Sequence, residues 1–287
     1  MKVWFLGCRG STPAPGPTTT RYGGHTSCLA VAADDGPPSL LLDAGTGLVG
    51  LAAITGGRPF QGTMLLTHLH WDHTHGLPFS PATDHPDATV NLHLPSQGVP
   101  AELLLARAMS PPHFPIGPDG LRGTWSFNSL DEGELATAAT SSPGLGSTAE
   151  GFEVLAREIP HKGGRTFGYR ITAPNGSSLA YLPDHQPSRL GPGPESFGEI
   201  HEAARALTDG VDLLVHDAQY TAEEFPQMHN FGHSAIDYAV NLARVAQVGQ
   251  LVAFHHAPTR TDRELDELAD RFSHTATFTR EGLVLTL

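Results

Sequence analysis

The sequence predicts an α/β protein in which two β-sheets stack face to face with helices outside them. Three features carry this reading. Short apolar runs of strand length alternate with Gly-, Pro- and Asp-rich turns along most of the 287 residues. The runs fall into two β-rich halves, each accompanied by helical patterns. No shift in composition marks a linker, so one domain is expected over residues 1–287.

Lys2–Leu6 reads as the first buried strand, followed by a Gly-, Pro- and Thr-rich loop over Arg9–Thr20. Ser27–Ala33 and Ser39–Leu42 are the next strands, joined by the turn Asp34-Asp35-Gly36-Pro37. Asp43-Ala44-Gly45-Thr46-Gly47 then opens a short helix at about Leu48–Ile54, and Thr63–Leu66 is a strand. Thr89–Leu94 is strand-like, and Val99–Ala108 is helical with an Ala/Leu face. From Met109 to Gly151 no period is sustained. The stretches Met109–Pro115 and Ala136–Thr148 there predict a lid-like insertion at about 109–151. Strands return at Glu153–Ile159, Thr166–Thr172 and Ser178–Leu182. Helix Phe197–Leu207, strand Leu213–His216, helix Ala235–Val245, strand Leu251–Phe254 and helix Arg263–Phe272 follow. Thr275–Phe278 and Leu283–Leu287 are the terminal strands.

The composition, 39% apolar and 16% charged, is that of a soluble globular protein. A chain of this length buries about three quarters of its unfolded surface and needs no disulfides. Its two cysteines, Cys8 and Cys28, read as buried hydrophobes in a reducing compartment. The apolar start Met1–Gly7 is too short for a signal peptide, and no stretch reaches the length of a membrane span. A cytoplasmic protein without membrane contact is expected. The net charge of −13 argues against a broad nucleic-acid surface. The 17 histidines, as many as Lys and Arg together, point to metal or acid–base chemistry.

That chemistry concentrates in Thr67-His68-Leu69-His70-Trp71-Asp72-His73, directly after the apolar run Met64-Leu65-Leu66. Imidazole and carboxylate are the ligands that zinc and similar divalent ions prefer. In an extended segment His68 and His70 project to the same side. Asp72 and His73 diverge from each other and suit a second metal position, so two ions are expected. A solvated His-rich loop is the alternative, but partners recur at later strand ends. These are His161, Asp184, His216 with Asp217, and His255 with His256.

The chain resembles the metallo-β-lactamase superfamily, whose His-x-His-x-Asp-His hallmark stands here as His68–His73. It is most similar to the phosphodiesterase branch, which includes ribonuclease Z and bacterial cyclic-phosphate phosphodiesterases. Gly10-Ser11-Thr12, Tyr22–Cys28 and Asp43–Gly47 look like that branch's N-terminal signature. His161-Lys162-Gly163-Gly164, Tyr181-Leu182-Pro183-Asp184, Leu214–Ala218, Gly232-His233-Ser234 and Leu251–His255 look like its later segments. The resemblance implies a four-layer αββα sandwich of two mixed sheets. It implies that His68, His70 and His161 hold one metal, that Asp72, His73 and His255 hold the other, and that Asp184 bridges them. His256 is the rival of His255, which directly follows the strand. Two divalent ions are implied: zinc first, with manganese and iron suited by the same donors.

The implied chemistry is hydrolysis by a hydroxide held between the two ions, since metal binding lowers the pKa of water from about 15.7 to about 7. Asp72 would orient that nucleophile. His233, held by Asp217, would protonate the leaving group; the plain alternative makes it a neighbour of Ser234 capping the next helix. Lys162 and Arg165 are candidate phosphate contacts, and Phe114 a candidate to stack on a base or sugar. The expected substrate is a small or cyclic, nucleotide-like phosphodiester. The alternatives are tRNA 3′-end cleavage and hydrolysis of a lactone, thioester or β-lactam. tRNA-processing relatives usually carry a basic arm, and no Gly/Lys/Arg-rich insertion is found here. A non-catalytic module is disfavoured by the intact ligand positions. Departures from the branch lie at His25, where asparagine is common, at Lys162 and Arg165, and at Asp217, where ribonuclease Z has a glutamate. A homodimer is suggested by analogy alone.

Overall fold

Two seven-stranded sheets form the centre of the computed structural model, which describes residues 1–136 and 151–287. In the first, β1 (Lys2–Gly7), β2 (Cys28–Ala32), β3 (Leu40–Leu42), β4 (Gln61–Leu65), β5 (Thr89–Pro95) and β6 (Thr124–Leu130) lie side by side in chain order. The second runs β7 (Gly133–Ala136), β8 (Glu153–Glu158), β9 (Phe167–Thr172), β10 (Ser178–Leu182), β11 (Leu213–Asp217), β12 (Gln250–Phe254) and β13 (Thr277–Phe278). Strand β14 (Val284–Thr286) returns to the free edge of β1. Each sheet passes from antiparallel to parallel pairing halfway across. The change falls at β3 in the first sheet and at β10 in the second.

The parallel halves position the site. Leu42 lies opposite Leu65, Leu182 opposite His216, and Asp217 opposite Phe254. The chain therefore leaves β3, β4, β10, β11 and β12 at matching levels. In open α/β sheets ligands gather beyond these carboxyl ends.

Alternation along the strands explains the layers. Leu40 and Leu42 of β3, Leu179 and Tyr181 of β10, and Val252 and Phe254 of β12 are buried between the sheets. Leu41 faces outward, into a cluster with Leu51, Leu104 and Leu105. Those three come from α1 (Leu51–Ile54) and α3 (Ala101–Ala106), with α2 (Trp71–Thr74) between them in sequence. Ala180, Leu182 and Ala253 pack outward on Leu207 of α4 (Glu202–Thr208), and beyond the short α5 (Phe225–Met228) on Leu242 of α6 (Ile236–Val245) and Leu265 of α7 (Asp262–Arg271). Thr261 and Glu264 close a capping box on α7. The result is the αββα sandwich expected. No described helix is long and apolar enough to cross a membrane.

Most strands match expectation to within a residue or two, and three differences stand out. The segment read as an irregular insertion contains β6 and β7. Trp125 and Phe127 supply the alternation of β6 and pack on the outer core, but Ser, Asn and Gly around them mask the pattern. Met109 and Phe114 also join that outer core instead of forming a lid. Of the run Ala136–Thr148, residues 137–148 lie outside the described residues. The helix expected from Phe197 starts at Glu202, because Ser196 (φ +67°) and Gly198 (φ +130°) hold the preceding turn out of helical conformation.

Leu42 is fully buried between the sheets. Leu42→Ala should lower the unfolding free energy by about 2–5 kcal/mol, the usual cost of such a cavity. Urea denaturation of the metal-free protein measures this; a loss below about 1 kcal/mol would mean that the gap collapses.

Candidate metal centre

The site is built outward from Asp43, the residue that follows β3, whose backbone is left-handed at φ +59°. Its buried carboxylate accepts from the Thr67 main-chain N–H at 2.7 Å, the Thr67 hydroxyl at 3.0 Å and the Tyr181 hydroxyl at 2.9 Å. His73 Nδ1 also donates to it, at 2.7 Å. With Nδ1 committed, His73 turns Nε2 towards the cluster, the arrangement by which a carboxylate orients a metal-binding imidazole.

His68 and His70 follow β4 in extended chain, with ring centroids 4.4 Å apart, and α2 then carries Asp72 and His73. His161 donates from Nδ1 to the Gly232 carbonyl at 2.7 Å, which leaves its Nε2 lone pair 3.2 Å from His70 Nδ1. A Cβ on Gly232, where φ is +105°, would meet the His161 ring at 2.9 Å, so glycine is required there. On the other side His73 Nε2 lies 3.3 Å from Asp72 Oδ2 and 2.8 Å from Asp184 Oδ2. His255 Nε2 lies 3.5 Å from Asp72 Oδ2 and 3.3 Å from Asp184 Oδ1. Asp184 Oδ1 is 3.6 Å from His161 Nε2 and so stands between the two groups. The Ser11 N–H donates to Asp72 Oδ2 at 2.7 Å.

Two observations test whether divalent ions fit. His68 Nε2 and His255 Nε2 are buried without a hydrogen-bond partner, and His73 Nε2 and Asp184 Oδ2 have none beyond their close ion pairs, an expensive arrangement unless a cation joins them. The charge balance also asks for positive charge. Burial opposes protonation of His73, yet Asp72, Asp43 and Asp184 outweigh it and push its pKa well up. Burial likewise opposes ionisation of Asp72, but His73 holds the carboxyl down at about 2. Burial pushes His161 down to about 4, leaving it a neutral donor. The residues fit the ions. His68, His70 and His161 form one set whose ligand atoms lie within 4.8 Å of one another, and Asp72, His73 and His255 form another.

Beside the cluster, His233 Nδ1 donates to Asp217 Oδ2 at 3.0 Å and lies 3.4 Å from Asp184 Oδ1. Burial opposes charging this ring, but Asp217, then Asp184 and Asp72, raise its pKa above the ordinary value. Asp72, His161, Asp184 and His233 line a cleft of about 410 Å³, with Trp71, Phe231 and Lys162 at its walls. Trp71 and Phe231 are 66% and 60% exposed, and Lys162 Nζ sits 5.8 Å from the Phe231 ring centroid.

Several expected residues lie elsewhere. Arg165 is spent on Glu158 at 2.8 Å, Asp131 at 2.9 Å and the Ser96 carbonyl at 3.1 Å, and is not among the residues that line the cleft. Phe114 packs edge-on to Phe79 and lines a separate apolar pocket with Leu105 and Met109. His216 turns its ring from the cluster towards His185. His256 stacks on Phe278 and reaches the Thr279 carbonyl at 2.9 Å, while His255, left-handed at φ +59°, enters the cluster. Sequence reasoning gave no individual role to Asp43, Ser11 or Trp71, which it quoted only within motifs, and missed Phe231. An apolar ring placed between His70 and Asp72 was a readable signal for Trp71.

A family model described as the beta-lactamase superfamily domain matches residues 39–256. The chain is similar to ribonuclease BN of Salmonella paratyphi C, 25% identical over an alignment that covers 93% of each chain. It is similar to ribonuclease Z of Exiguobacterium sp., 24% identical over 92% of this chain and 91% of the other. Among solved structures it is similar to Zn(2+)-bound PqqB from Methylobacterium extorquens, with a TM-score of 0.68 and 19% identity over 100% of both chains.

Asp43→Asn should weaken zinc retention about 10–100-fold, the usual cost of losing the group behind a metal-bound imidazole. Competition with a chelator of known affinity measures it, and circular dichroism checks the fold. Undiminished retention would show that Asp43 does not orient His73.

Proposed function

This chain belongs to the beta-lactamase superfamily, and we propose that it is a binuclear metal-dependent phosphodiesterase acting on a small or cyclic, nucleotide-like phosphodiester. The supporting observation is the buried cation-demanding cluster, with the Asp217–His233 pair on the wall of the same cleft. In this reading His68, His70 and His161 would hold one ion and Asp72, His73 and His255 the other, with Asp184 available to both. Divalent ions held there would supply ionised water at neutral pH and positive charge for the phosphoryl oxygens.

The remaining roles belong to side chains. Asp72, steadied by the Ser11 N–H, orients the attacking water. His233 gives its Nε2 proton to the leaving alkoxide, while Asp217 keeps Nδ1 and stabilises the charged ring. Lys162 faces the phosphate charge, and Trp71 and Phe231 offer two exposed ring faces to a base. These two rings take the part expected of Phe114, and Lys162 acts without Arg165.

A second reading, RNA 3′-end cleavage, is favoured by the similarity to ribonucleases BN and Z over nine tenths of the chain. The net charge of −13 weighs against it, as does the lining, where Lys162 is the one Lys or Arg among the described residues. Phosphate-backbone binding draws its affinity from many such cations.

Zinc- or manganese-loaded protein should hydrolyse bis(p-nitrophenyl) phosphate and a 2′,3′- or 3′,5′-cyclic nucleotide, and lose the activity to a chelator. Turnover of a lactone or nitrocefin without any phosphodiester would refute this reading; cleavage of precursor tRNA alone would select the second. His233→Ala should keep its metal and slow hydrolysis of an alkyl phosphodiester about 10²–10⁴-fold, the range for losing a general acid. Undiminished turnover of that poor leaving group would remove His233 from the mechanism.

A further inference from the structure

Behind the cleft three histidines join in a line of hydrogen bonds that none of the roles above uses. At its inner end His216 Nδ1 lies 2.7 Å from the main-chain carbonyl of Asp217. A carbonyl only accepts, so Nδ1 carries the proton and His216 Nε2 is a lone pair. His185 Nδ1, 2.9 Å away, must donate to that lone pair. His185 Nε2 is then an acceptor, and His201 Nε2, at 2.8 Å, must donate to it. His201 Nδ1 is left to accept the Ala204 main-chain N–H at 3.4 Å, where His201 caps α4. Each ring uses one proton and one lone pair, and the two ends determine all three tautomers. Tyr238 packs against His185 and His216, with ring centroids 5.4 and 5.7 Å away.

The central member also holds the site through its main chain. His185 directly follows Asp184. Its N–H donates to Asp217 Oδ2 at 3.1 Å, the oxygen that also receives His233 Nδ1. Its carbonyl accepts from the Ser234 hydroxyl at 2.6 Å, one residue beyond His233. Asp184, Asp217 and His233 therefore meet at one residue whose ring is anchored on both sides. Position 185 needs a donor on one edge and an acceptor on the other, a description that fits neutral imidazole.

We propose that His185, fixed by the His216–His185–His201 chain, is a positioning residue that holds Asp217 and His233 in register with Asp184. Its kinetic consequence rests on the phosphodiesterase reading; the hydrogen-bond chain does not.

Two substitutions at His201 separate the chain from the helix cap. His201→Asn keeps an acceptor for the Ala204 N–H but cannot reach His185, whereas His201→Gln keeps a donor for His185 and loses the cap. In the loaded enzyme His201→Asn should lower kcat for an alkyl phosphodiester about 10–100-fold, the cost of slightly misplacing a reacting group. Its KM, its metal content and its turnover of the p-nitrophenyl diester should change little, and His201→Gln should restore the alkyl rate. Equal losses in the two variants, or equal losses on the two leaving groups, would overturn the proposal. Nitrogen-15 NMR of the histidine rings tests it without turnover. His185 and His216 should be Nδ1–H tautomers and His201 Nε2–H, and His201→Asn should shift both His185 and His233. Different wild-type tautomers, or unmoved His233 signals, would reject it. Absence of wild-type phosphodiesterase activity would overturn the functional reading alone, since the NMR result still decides the chain.

Discussion

One buried carboxylate ties the two sheets together at the level of the site. Asp43 leaves the first sheet, Tyr181 belongs to the second, and their contact at 2.9 Å crosses the interface. Isolated, such a carboxylate would be strongly destabilising; surrounded by Thr67, Tyr181 and His73 it is fully hydrogen-bonded. The same bonds aim His73, so closing the sandwich and orienting a candidate ligand are a single event. The Tyr169 hydroxyl reinforces the junction by donating to the Leu66 carbonyl at 2.6 Å, just before the histidine stretch.

The repeated order of pairing explains why the remaining groups converge. Each sheet ends its antiparallel run at a central strand, β3 or β10, that is followed closely by an aspartate, Asp43 or Asp184. The next parallel strands deliver His68–His73 on one side, and Asp217 and His255 on the other. One sheet supplies the closely spaced donors and the other the scattered ones. Neither assembles the cluster alone.

This division governs what could be read from the chain. His68–His73 was legible because its donors are neighbours in sequence. Asp184, Asp217 and His255 were legible because each sits within two residues of an apolar run of strand length. The role of Asp43 was not, since the sequence shows it only as the start of a glycine-rich signature after a strand, and its partner Tyr181 lies 138 residues away. Arg165 and Phe114 stand outside the cleft lining for a related reason. Charge and aromaticity show what a side chain can do, but Glu158, Asp131 and Phe79 had already engaged them. The histidine chain was hidden for the same cause, because His185, His201 and His216 come from three separate elements. The sandwich itself was legible from strand-length runs, and β6 was lost only where polar residues diluted its alternation.

The partners of Asp43 are all protein groups, and this bears on how the molecule matures. Nothing in that junction waits for a metal. The sheets can close, Tyr181 can dock and His73 can be aimed with the Nε2 atoms of His68, His73 and His255 already buried in the cluster. The junction therefore needs no ion to close, and an ion entering afterwards would come from the pool that surrounds the folded protein. The identity of the bound metal would then record the cell's supply as much as the preference of the ligands.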